Sequence, residues 1–355
     1  MTRRLRWTGP PLVLVALITS CTGDPDETSS GGWFEARRAL YGGTPARIKI
    51  WLPPGRASEA QAITAAGWTE LARLGRLFNA FDPRSEIGRL NASRTAGPVE
   101  VSADLAAVFR VAQRVHSASA GAFDPTLWPV KHLWREAVLH QRPPSEAQLR
   151  ATLARVGLTR LRLEMDPPRL TRATPGVQLD LGGIVKGYAV DRVGQLLHHR
   201  QVPAALVQIG GEILAFGASD VGPWRLGIRH PCERGRLFGV VQHRGTVRVS
   251  TSGNYQQPLR IGSELYYHIF APDTGRPAST RVRGVTLASF DSGPDNSVLD
   301  AAATAAVVLG AERGAALARA LGAQALLIEG NPGALREVVT PGFAARWRRT
   351  ARSSD

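Results

Sequence analysis

Two glycines and a lysine form the first segment of the sequence that could bind a phosphate. They belong to Asp180-Leu-Gly-Gly-Ile-Val-Lys186, and an amphipathic stretch that predicts a helix follows the glycines. Glycine lets a ligand approach backbone N–H groups closely, and a helix N-terminus favours an anion. Lys186 lies in the first helical turn and is one of only three lysines in the chain. The segment therefore suits a phosphate, although the same residues also form ordinary turns between a strand and a helix.

Asp300 and Thr304 form a second candidate site, which suits a metal ion. They lie in the apolar run 298–309, which predicts a helix. A spacing of four residues places the carboxylate and the hydroxyl on one helix face, one turn apart. These are hard oxygen ligands of the kind that Mg²⁺ prefers. In the alternative interpretation, Asp300 caps the helix and Thr304 bonds to its own backbone.

A histidine and an aspartate beside turns complete the set of candidates. His268 ends a predicted strand and precedes the turn Pro272-Asp-Thr-Gly275, a position in which it could act as a general base near neutral pH. Asp124 lies in Gly121-Ala-Phe-Asp-Pro-Thr126, a tight turn that either aims the carboxylate into a cleft or is only a turn. A lone histidine is also more often structural than catalytic.

The elements that must position these residues are a mixture of strands and helices. Because they do not follow a regular βαβ order, they favour the α+β class over a doubly wound sheet. We expect one domain over 34–355, with two lobes and a cleft between them. Alternating hydrophobicity predicts strands over 46–52, 177–181, 203–209, 224–229, 238–251, 265–270, 283–289 and 324–329. Helical periodicity predicts helices over 57–79, 103–119, 146–156, 184–199, 298–309 and 311–321.

Composition restricts the class of protein. The chain has 355 residues, of which 43% are hydrophobic and 21% are charged, and this excludes a disordered protein. Two cysteines exclude a disulfide scaffold and a multi-cysteine metal site. The net charge of +15 comes almost entirely from arginines spread along the chain. We therefore expect no nucleic-acid partner, and we favour an anionic membrane surface or an anionic ligand.

The N-terminal segment predicts export and attachment to a membrane. Three arginines precede an apolar run over 11–19, which is too short to span a bilayer. Ile18-Thr-Ser-Cys21 resembles the bacterial lipobox, so we predict a lipoprotein signal peptide over 1–20, a lipid on Cys21 and a polar tether over 21–33. The alternative is an ordinary cleavage site with a cysteine nearby by chance. The predicted location is extracytoplasmic, on the membrane of the bacterial cell envelope.

Taken in order, the motifs resemble those of the ApbE family of FAD:protein FMN transferases. The resemblance covers nearly all of the chain that follows the predicted tether, and the motifs are colinear with those of the family. Any one motif is weak by itself, whereas the ordered series is specific. The segments that carry the resemblance are 42–44, 81–91, 121–126, 180–191, 209–213, 224–229, 251–255, 268–275 and 300–304.

The resemblance implies a Mg²⁺-dependent enzyme that transfers FMN from FAD to a threonine hydroxyl of a partner protein and releases AMP. It implies that Asp300, Thr304 and the main-chain carbonyl of Gly183 bind Mg²⁺. His268 falls where the family has the histidine that takes the proton from the threonine. Two alternatives remain, which are Mg²⁺-dependent hydrolysis of FAD to FMN and AMP, and a non-catalytic FAD-binding lipoprotein. The residues implied to hold FAD are Gly42, Phe81, Ala122, Phe123, Asp124, Asp180, Lys186 and Ile269.

Two of these residues have a specific implied role, and two positions depart from the family pattern. Phe81 would stack on a ring of FAD, and Lys186 would lie near an anionic or carbonyl oxygen of FAD. Ala271 stands where the family usually has an aspartate, so we expect reduced activity or a different loop if that acid orients the histidine. Trp128 replaces a usual glycine and would reshape the pocket wall. Neither departure removes a proposed metal ligand.

Overall fold

The computed structural model describes residues 31–40, 43–93, 96–217, 222–253 and 258–350. The predicted signal peptide, Cys21 and Gly42 lie outside the described residues. The predicted tether can be compared with the structure only at its end, where a strand already begins at Gly32. The first strand of the described residues therefore begins before residue 34, the expected start of the domain. None of the helices in the described ranges is long and apolar enough to cross a membrane.

An antiparallel sheet of eight strands forms the centre of the molecule. Its inner strands are apolar along almost their whole length because other elements cover both faces of the sheet. In spatial order the strands are β1 (Gly32–Leu40), β2 (Thr44–Leu52), β6 (Ala204–Ile209), β7 (Glu212–Phe216), β10 (Val247–Ser252), β13 (Val282–Phe290), β14 (Gln324–Asn331) and β15 (Ala334–Val339).

Helices cover one face of this sheet and bury the largest apolar cluster of the protein. The central helix of this layer is almost wholly buried, and its alanines let neighbouring elements approach closely. The helices that contribute to this cluster are α1 (Ala60–Phe78), α2 (Glu86–Ala92), α3 (Ala103–Ala118), α6 (Val185–His199), the central α7 (Asn296–Leu309) and α8 (Ala311–Ala320).

A smaller sheet covers the opposite face. It contains β8 (Trp224–Arg229), β9 (Leu237–His243) and β16 (Trp347–Arg349), with β9 in the middle. The inward side chains of these strands pack on the central sheet, together with Phe343 from the short helix α9 (Pro341–Ala344). Exposed residues alternate with buried ones along β8, as in a strand with one face in solvent. The central sheet is therefore sandwiched between helices and a second sheet.

Two further units extend this layered body. One has a small core of its own around Trp134, and its elements are α4 (Trp128–Leu139), α5 (Glu146–Leu153) and the hairpin of β11 (Pro258–Ile261) and β12 (Glu264–Tyr267). The other is a three-stranded sheet that lies against α3, formed by β3 (Pro98–Glu100), β4 (Leu161–Met165) and β5 (Pro168–Arg172).

The structure confirms the α+β class and the single domain, and it corrects two of the predicted strands. Residues 238–251 form parts of β9 and β10, joined by a turn in which Gly245 has a φ of 94°. Residues 177–181 are not a strand. Their backbone pairs instead with a side chain, since the Leu179 amide donates to Asn91 Oδ1 at 2.7 Å and Asn91 Nδ2 donates to the Leu179 carbonyl at 2.9 Å.

Candidate active site

The first turn of α6 lies directly on the first turns of α7. Gly187 is required there, because a Cβ at this position would overlap the Asn296 carbonyl oxygen and lie 2.9 Å from the Cβ of Asp300. The Gly187 amide donates to Asp300 Oδ2 at 3.0 Å. One turn further along α6, Asp191 accepts from the amides of Asn296 and Ser297 at 3.0 and 2.8 Å. These bonds fix the position of Asp300 relative to α6.

Two buried acids and a partly buried lysine meet at this junction of α6 and α7. Lys186 Nζ lies 3.0 and 3.1 Å from the two Asp300 carboxylate oxygens and 3.3 Å from Glu212 Oε1. The two acids are each 1% exposed. Burial, followed by the charge of Asp300, raises the pKa of Glu212 to about 8. Burial lowers the pKa of Lys186, but the two carboxylates outweigh it and raise that pKa above its usual value.

Thr304 lies one turn after Asp300 and faces the glycine turn before α6. A Cβ on Gly183 would lie 3.0 Å from Thr304 Oγ1 and 3.4 Å from the ring of Phe123. The Thr304 hydroxyl donates to the Asp300 main-chain oxygen at 3.1 Å, as the structural interpretation expected. This bond uses the hydroxyl hydrogen and leaves the oxygen able to accept. Asp300 does not cap α7, since that helix begins at Asn296.

The oxygen atoms at this junction fit a small divalent cation. A carboxylate, a hydroxyl and a backbone carbonyl are donors that suit Mg²⁺, which takes its remaining ligands from water and substrate. In addition, the buried Glu212 Oε2 has no hydrogen-bond partner within the described ranges. Nowhere in those ranges do three or more His, Cys, Asp or Glu side chains form a cluster suited to a metal. A cation here would therefore depend on Thr304 and Gly183 as well as on Asp300.

Asp180 and His268 form a second part of the site, just before α6. Asp180 accepts from the Gly182 amide at 3.0 Å and from Lys131 Nζ at 2.8 Å. Burial acts to raise the pKa of Asp180, but Lys131, the Gly182 amide and the nearby His268 together hold it below its usual value. His268 follows the end of β12, in agreement with the prediction from the sequence.

An exposed aromatic ring with cations around it lies beside α4. Phe81 is 56% exposed, and its ring centroid is 4.8 Å from that of Trp128 in an edge-on arrangement. The Arg135 guanidinium carbon lies 4.6 Å from the Phe81 centroid, and Lys131 Nζ lies 5.9 Å from it. Trp128 therefore supports Phe81 from the side, and Lys131 connects this aromatic cluster to Asp180. The combination suits a ligand with a planar ring and negative charge.

The Asp124 carboxylate stabilises a turn inside the protein. It is buried, and Oδ1 accepts from the amide and the hydroxyl of Thr126 at 2.8 and 2.6 Å. Its Oδ2 accepts from the Leu158 amide at 3.1 Å. These bonds correspond to the turn interpretation of Gly121–Thr126.

The apolar residues that the resemblance assigns to FAD lie in or near the core. Phe123 and Ile269 are buried, and Ala122 is partly buried against the main core. Phe123 contacts the glycine turn at Gly183, so it lines the junction of α6 and α7. Ile269 pairs through its carbonyl with the Ala278 amide at 2.8 Å, which fixes the chain directly after His268.

The loop after His268 is well connected even though it has Ala271 in place of the usual aspartate. The Ala271 amide donates to the Arg276 carbonyl, and the Ala271 carbonyl accepts from the Gly275 amide, both at 2.8 Å. Trp134 Nε1 also donates to the Gly275 carbonyl at 2.8 Å. Backbone bonds and one indole therefore hold this loop without the acid.

Sequence reasoning did not identify Glu212, Lys131 and Arg135. Glu212 lies in the segment 209–213 that contributed to the resemblance, and Lys131 is one of the three lysines. The position of Glu212 in this segment and the rarity of lysine could therefore have indicated that Glu212 and Lys131 belong to the site. Arg135 had no such signal, because nothing distinguishes it from the other arginines until α4 is placed beside Phe81.

Comparison with known proteins places the chain among flavin transferases. The ApbE family model matches residues 43–327. The FAD:protein FMN transferase of Treponema pallidum is 32% identical over 308 residues, which cover 82% of this chain and 84% of that protein. The enzyme of the same name from Vibrio cholerae is 31% identical over 307 residues, which cover 85% of this chain and 89% of that protein.

Solved structures agree with this result. The flavin transferase ApbE from Vibrio cholerae matches with a TM-score of 0.76 and 28% identity, over 89% of this chain and 99% of its own. The ApbE protein from Thermotoga maritima matches with a TM-score of 0.78 and 26% identity, over 90% of this chain and 100% of its own. The range matched by the family model, residues 43–327, includes both halves of the candidate site.

Proposed function

The chain belongs to the ApbE family, and on this basis we propose that it is an FAD:protein FMN transferase. FMN is transferred from FAD to a threonine hydroxyl of a partner protein. A new phosphoester bond forms, the pyrophosphate bond of FAD breaks, and AMP leaves. The observation that carries this proposal is the contact of the Gly183 turn with Thr304, one helical turn from the buried Asp300.

The residues at the α6–α7 junction are suited to hold a metal ion and the phosphates together. Mg²⁺ would be held by the Asp300 carboxylate, the Thr304 hydroxyl and the Gly183 carbonyl. When bound, the ion would neutralise negative charge on the pyrophosphate. Lys186 adds a fixed positive charge at the start of α6, because Asp300 and Glu212 hold its ammonium group in place. The helix N-terminus favours an anion at the same place.

The aromatic cluster beside α4 is suited to bind a ring of FAD. The exposed Phe81 ring offers a surface on which a planar ring can stack. Arg135 and Lys131 add positive charge next to this surface. Because Lys131 also pairs with Asp180, it connects the ring-binding surface to the turn that precedes α6. The two ends of the dinucleotide would therefore be oriented relative to each other.

In this proposal, His268 accepts the proton of the attacking threonine as a general base. It directly follows the end of β12. The hydrogen-bonded loop at Ala271 keeps the backbone after His268 in one conformation. These bonds hold the loop although Ala271 stands in place of the usual aspartate, so we expect an active enzyme.

The acceptor would be an extracytoplasmic protein, and the enzyme would be attached to the membrane. The support for this comes from the sequence, in which a short apolar run precedes the lipobox-like segment ending in Cys21. A lipid on Cys21 would anchor the chain, and the following polar residues would connect the anchor to β1.

Incubation of the chain with FAD, Mg²⁺ and an acceptor domain that contains the target threonine tests the proposed function. We expect a fluorescent acceptor band in a gel and AMP in equal amount, and we expect both to disappear with EDTA. His268→Ala should lower transfer by roughly a hundredfold, whereas the exposed His199→Ala should not change it. Free FMN without a labelled acceptor would indicate the hydrolase instead. Tight FAD binding without turnover would indicate a non-catalytic binding protein.

A further inference from the structure

The outer face of the three-stranded sheet is strongly basic. Arg225 and Arg229 on β8 and Arg348 on β16 are exposed there, and they alternate with the residues that pack inward. None of these three arginines has a carboxylate partner among the residues that the structure describes. We name Arg225, Arg229 and Arg348 the basic face. Arg236 and Arg349 near the same sheet differ from them, since both are paired with acids.

The sequence around the basic face contains little negative charge. Residues 222–244 contain five arginines and residues 346–350 contain three, whereas Glu233 is the one acid in the two segments. Glu233 is already bonded to Arg236. The one acid of these two segments therefore does not balance their arginines, and an anionic surface would be attracted to this side of the molecule.

A cavity beside the basic face has the size and charge to receive a phosphate group. It has a volume of about 350 Å³. The charged or ionisable residues that line it are His243, Arg244, Arg346 and Arg348. Arg348 thus belongs both to the basic face and to the cavity wall. None of the described lining residues is acidic, although the lining His243 contacts the carboxylate of Asp291, with Nε2 3.2 Å from Oδ1.

The start of the described chain lies at the edge of the same face. Trp33 on β1 packs against Trp224, with ring centroids 5.6 Å apart, and Trp224 directly precedes Arg225. Residues 1–30 are thus connected to the fold next to the basic face. The ten residue-to-residue steps from Cys21 to Gly31 could span at most about 35 Å when extended. A membrane anchor at Cys21 would keep the basic face close to the lipid headgroups.

The candidate active site is built on the other side of the central sheet. Glu212 lies on the same face of β7 as Leu214 and Phe216, which pack on the helices, whereas the basic face belongs to the sheet on the opposite side. A surface that bound the basic face would therefore leave the junction of α6 and α7 on the far side of the protein.

From these observations we infer that the basic face binds the headgroups of anionic phospholipids. The protein then lies on the membrane with its active site directed toward the acceptor and away from the lipid. The three arginines act by charge attraction, and the cavity at Arg348 takes a lipid phosphate. Because the attraction is electrostatic and exposed, it weakens as salt is added.

Sedimentation of the full chain with lipid vesicles tests this inference. Vesicles of phosphatidylcholine alone are compared with vesicles that also contain roughly one quarter phosphatidylglycerol. We expect binding to the anionic vesicles to be at least about tenfold stronger, and we expect this preference to decline between about 50 and 300 mM NaCl. The triple variant R225E/R229E/R348E should lose the preference. The variant R110E/R114E/R319E carries the same change in charge on the helical side and should retain it.

The possible outcomes distinguish vesicle binding by the basic face from vesicle binding with other causes. Residues 1–30 are present in every variant, so their contribution to binding cancels in the comparison. Equal loss in both triple variants would overturn the inference, because net charge alone would then explain binding. Unchanged vesicle binding in R225E/R229E/R348E would also overturn the inference. Slower FMN transfer by that variant in the absence of vesicles would overturn it in another way, because it would mean that the basic face binds the acceptor protein. Transfer at the parent rate in solution is the expected result, and it also shows that the variant is folded.

Discussion

Two regions of the protein hold positive charge in different ways. One is the junction of α6 and α7, and the other is the aromatic cluster beside α4. Lys186 is held between two buried carboxylates, so its position is fixed before a ligand binds. Arg135 is exposed and lies over an exposed ring, and no acid within the described ranges pairs with it. Buried, hydrogen-bonded charges are pre-organised, whereas exposed side chains can adapt to a ligand. We therefore expect the junction to determine the rate of transfer and the cluster to determine the affinity for FAD.

Asp300→Ala should have the largest effect, because it removes the proposed carboxylate ligand of Mg²⁺ and leaves Lys186 with one acid. We expect Mg²⁺-dependent transfer to fall by roughly a thousandfold or more, with the fold largely retained. Initial rates of transfer at increasing Mg²⁺ concentration measure the loss, and thermal unfolding measures the stability.

Asp295→Ala is the matched control for this change. Asp295 directly precedes the same helix, is mostly exposed, and makes no side-chain capping bond. Its replacement should leave transfer within about twofold of the parent rate. If Asp300→Ala keeps the Mg²⁺ dependence of the parent, the carboxylate does not hold the ion, and the contrast between the two regions has no chemical basis.

Gly187→Ala tests whether the junction depends on the close approach of two backbones. The added Cβ would overlap the Asn296 carbonyl oxygen, so α6 and α7 would have to separate. We expect a loss of about 1–3 kcal/mol in the free energy of unfolding, with a smaller loss of transfer than in Asp300→Ala. Urea denaturation and transfer rates measure the two effects.

Gly194→Ala, seven residues later on α6, provides the comparison. Its Cβ would overlap only the end of the Leu214 side chain, which can adopt another rotamer. We expect a clearly smaller loss of stability than at Gly187. Equal losses at the two positions would mean that Gly187 serves only general packing, and that the junction has no special need for close backbones.

The junction could be identified from the sequence because its parts are contiguous. Gly183 lies in the turn before α6 and Lys186 in its first helical turn, and Asp300 and Thr304 follow helical spacing, so local geometry alone relates the members of each pair. Glu212 and Lys131 reach the site only through tertiary packing, on β7 and α4. No local pattern places a residue of either element beside α6.

Much of the fold was also predictable, because local sequence patterns determine most of its elements. Strands with one buried face alternate, and the amphipathic helices show an apolar stripe, which identifies most elements of the layered body. The segment 177–181 alternates too, but its backbone pairs with the side chain of Asn91, about ninety positions earlier in the chain. The start of α4 had a local signal in Pro129, a residue that suits a first helical turn.

Arg135→Gln should have the smallest effect and should act on affinity alone. An exposed cation over an aromatic ring contributes about 0.5–1 kcal/mol, so we expect the KM for FAD to rise about two- to fivefold. The value of kcat should stay within about twofold, because Arg135 does not contact the junction of α6 and α7. Arg142→Gln, just beyond the end of α4, removes the same charge without a ring contact and should change neither constant. A tenfold fall in kcat with an unchanged KM in Arg135→Gln would contradict the proposed division, since the exposed cluster would then act on the reacting atoms rather than on binding.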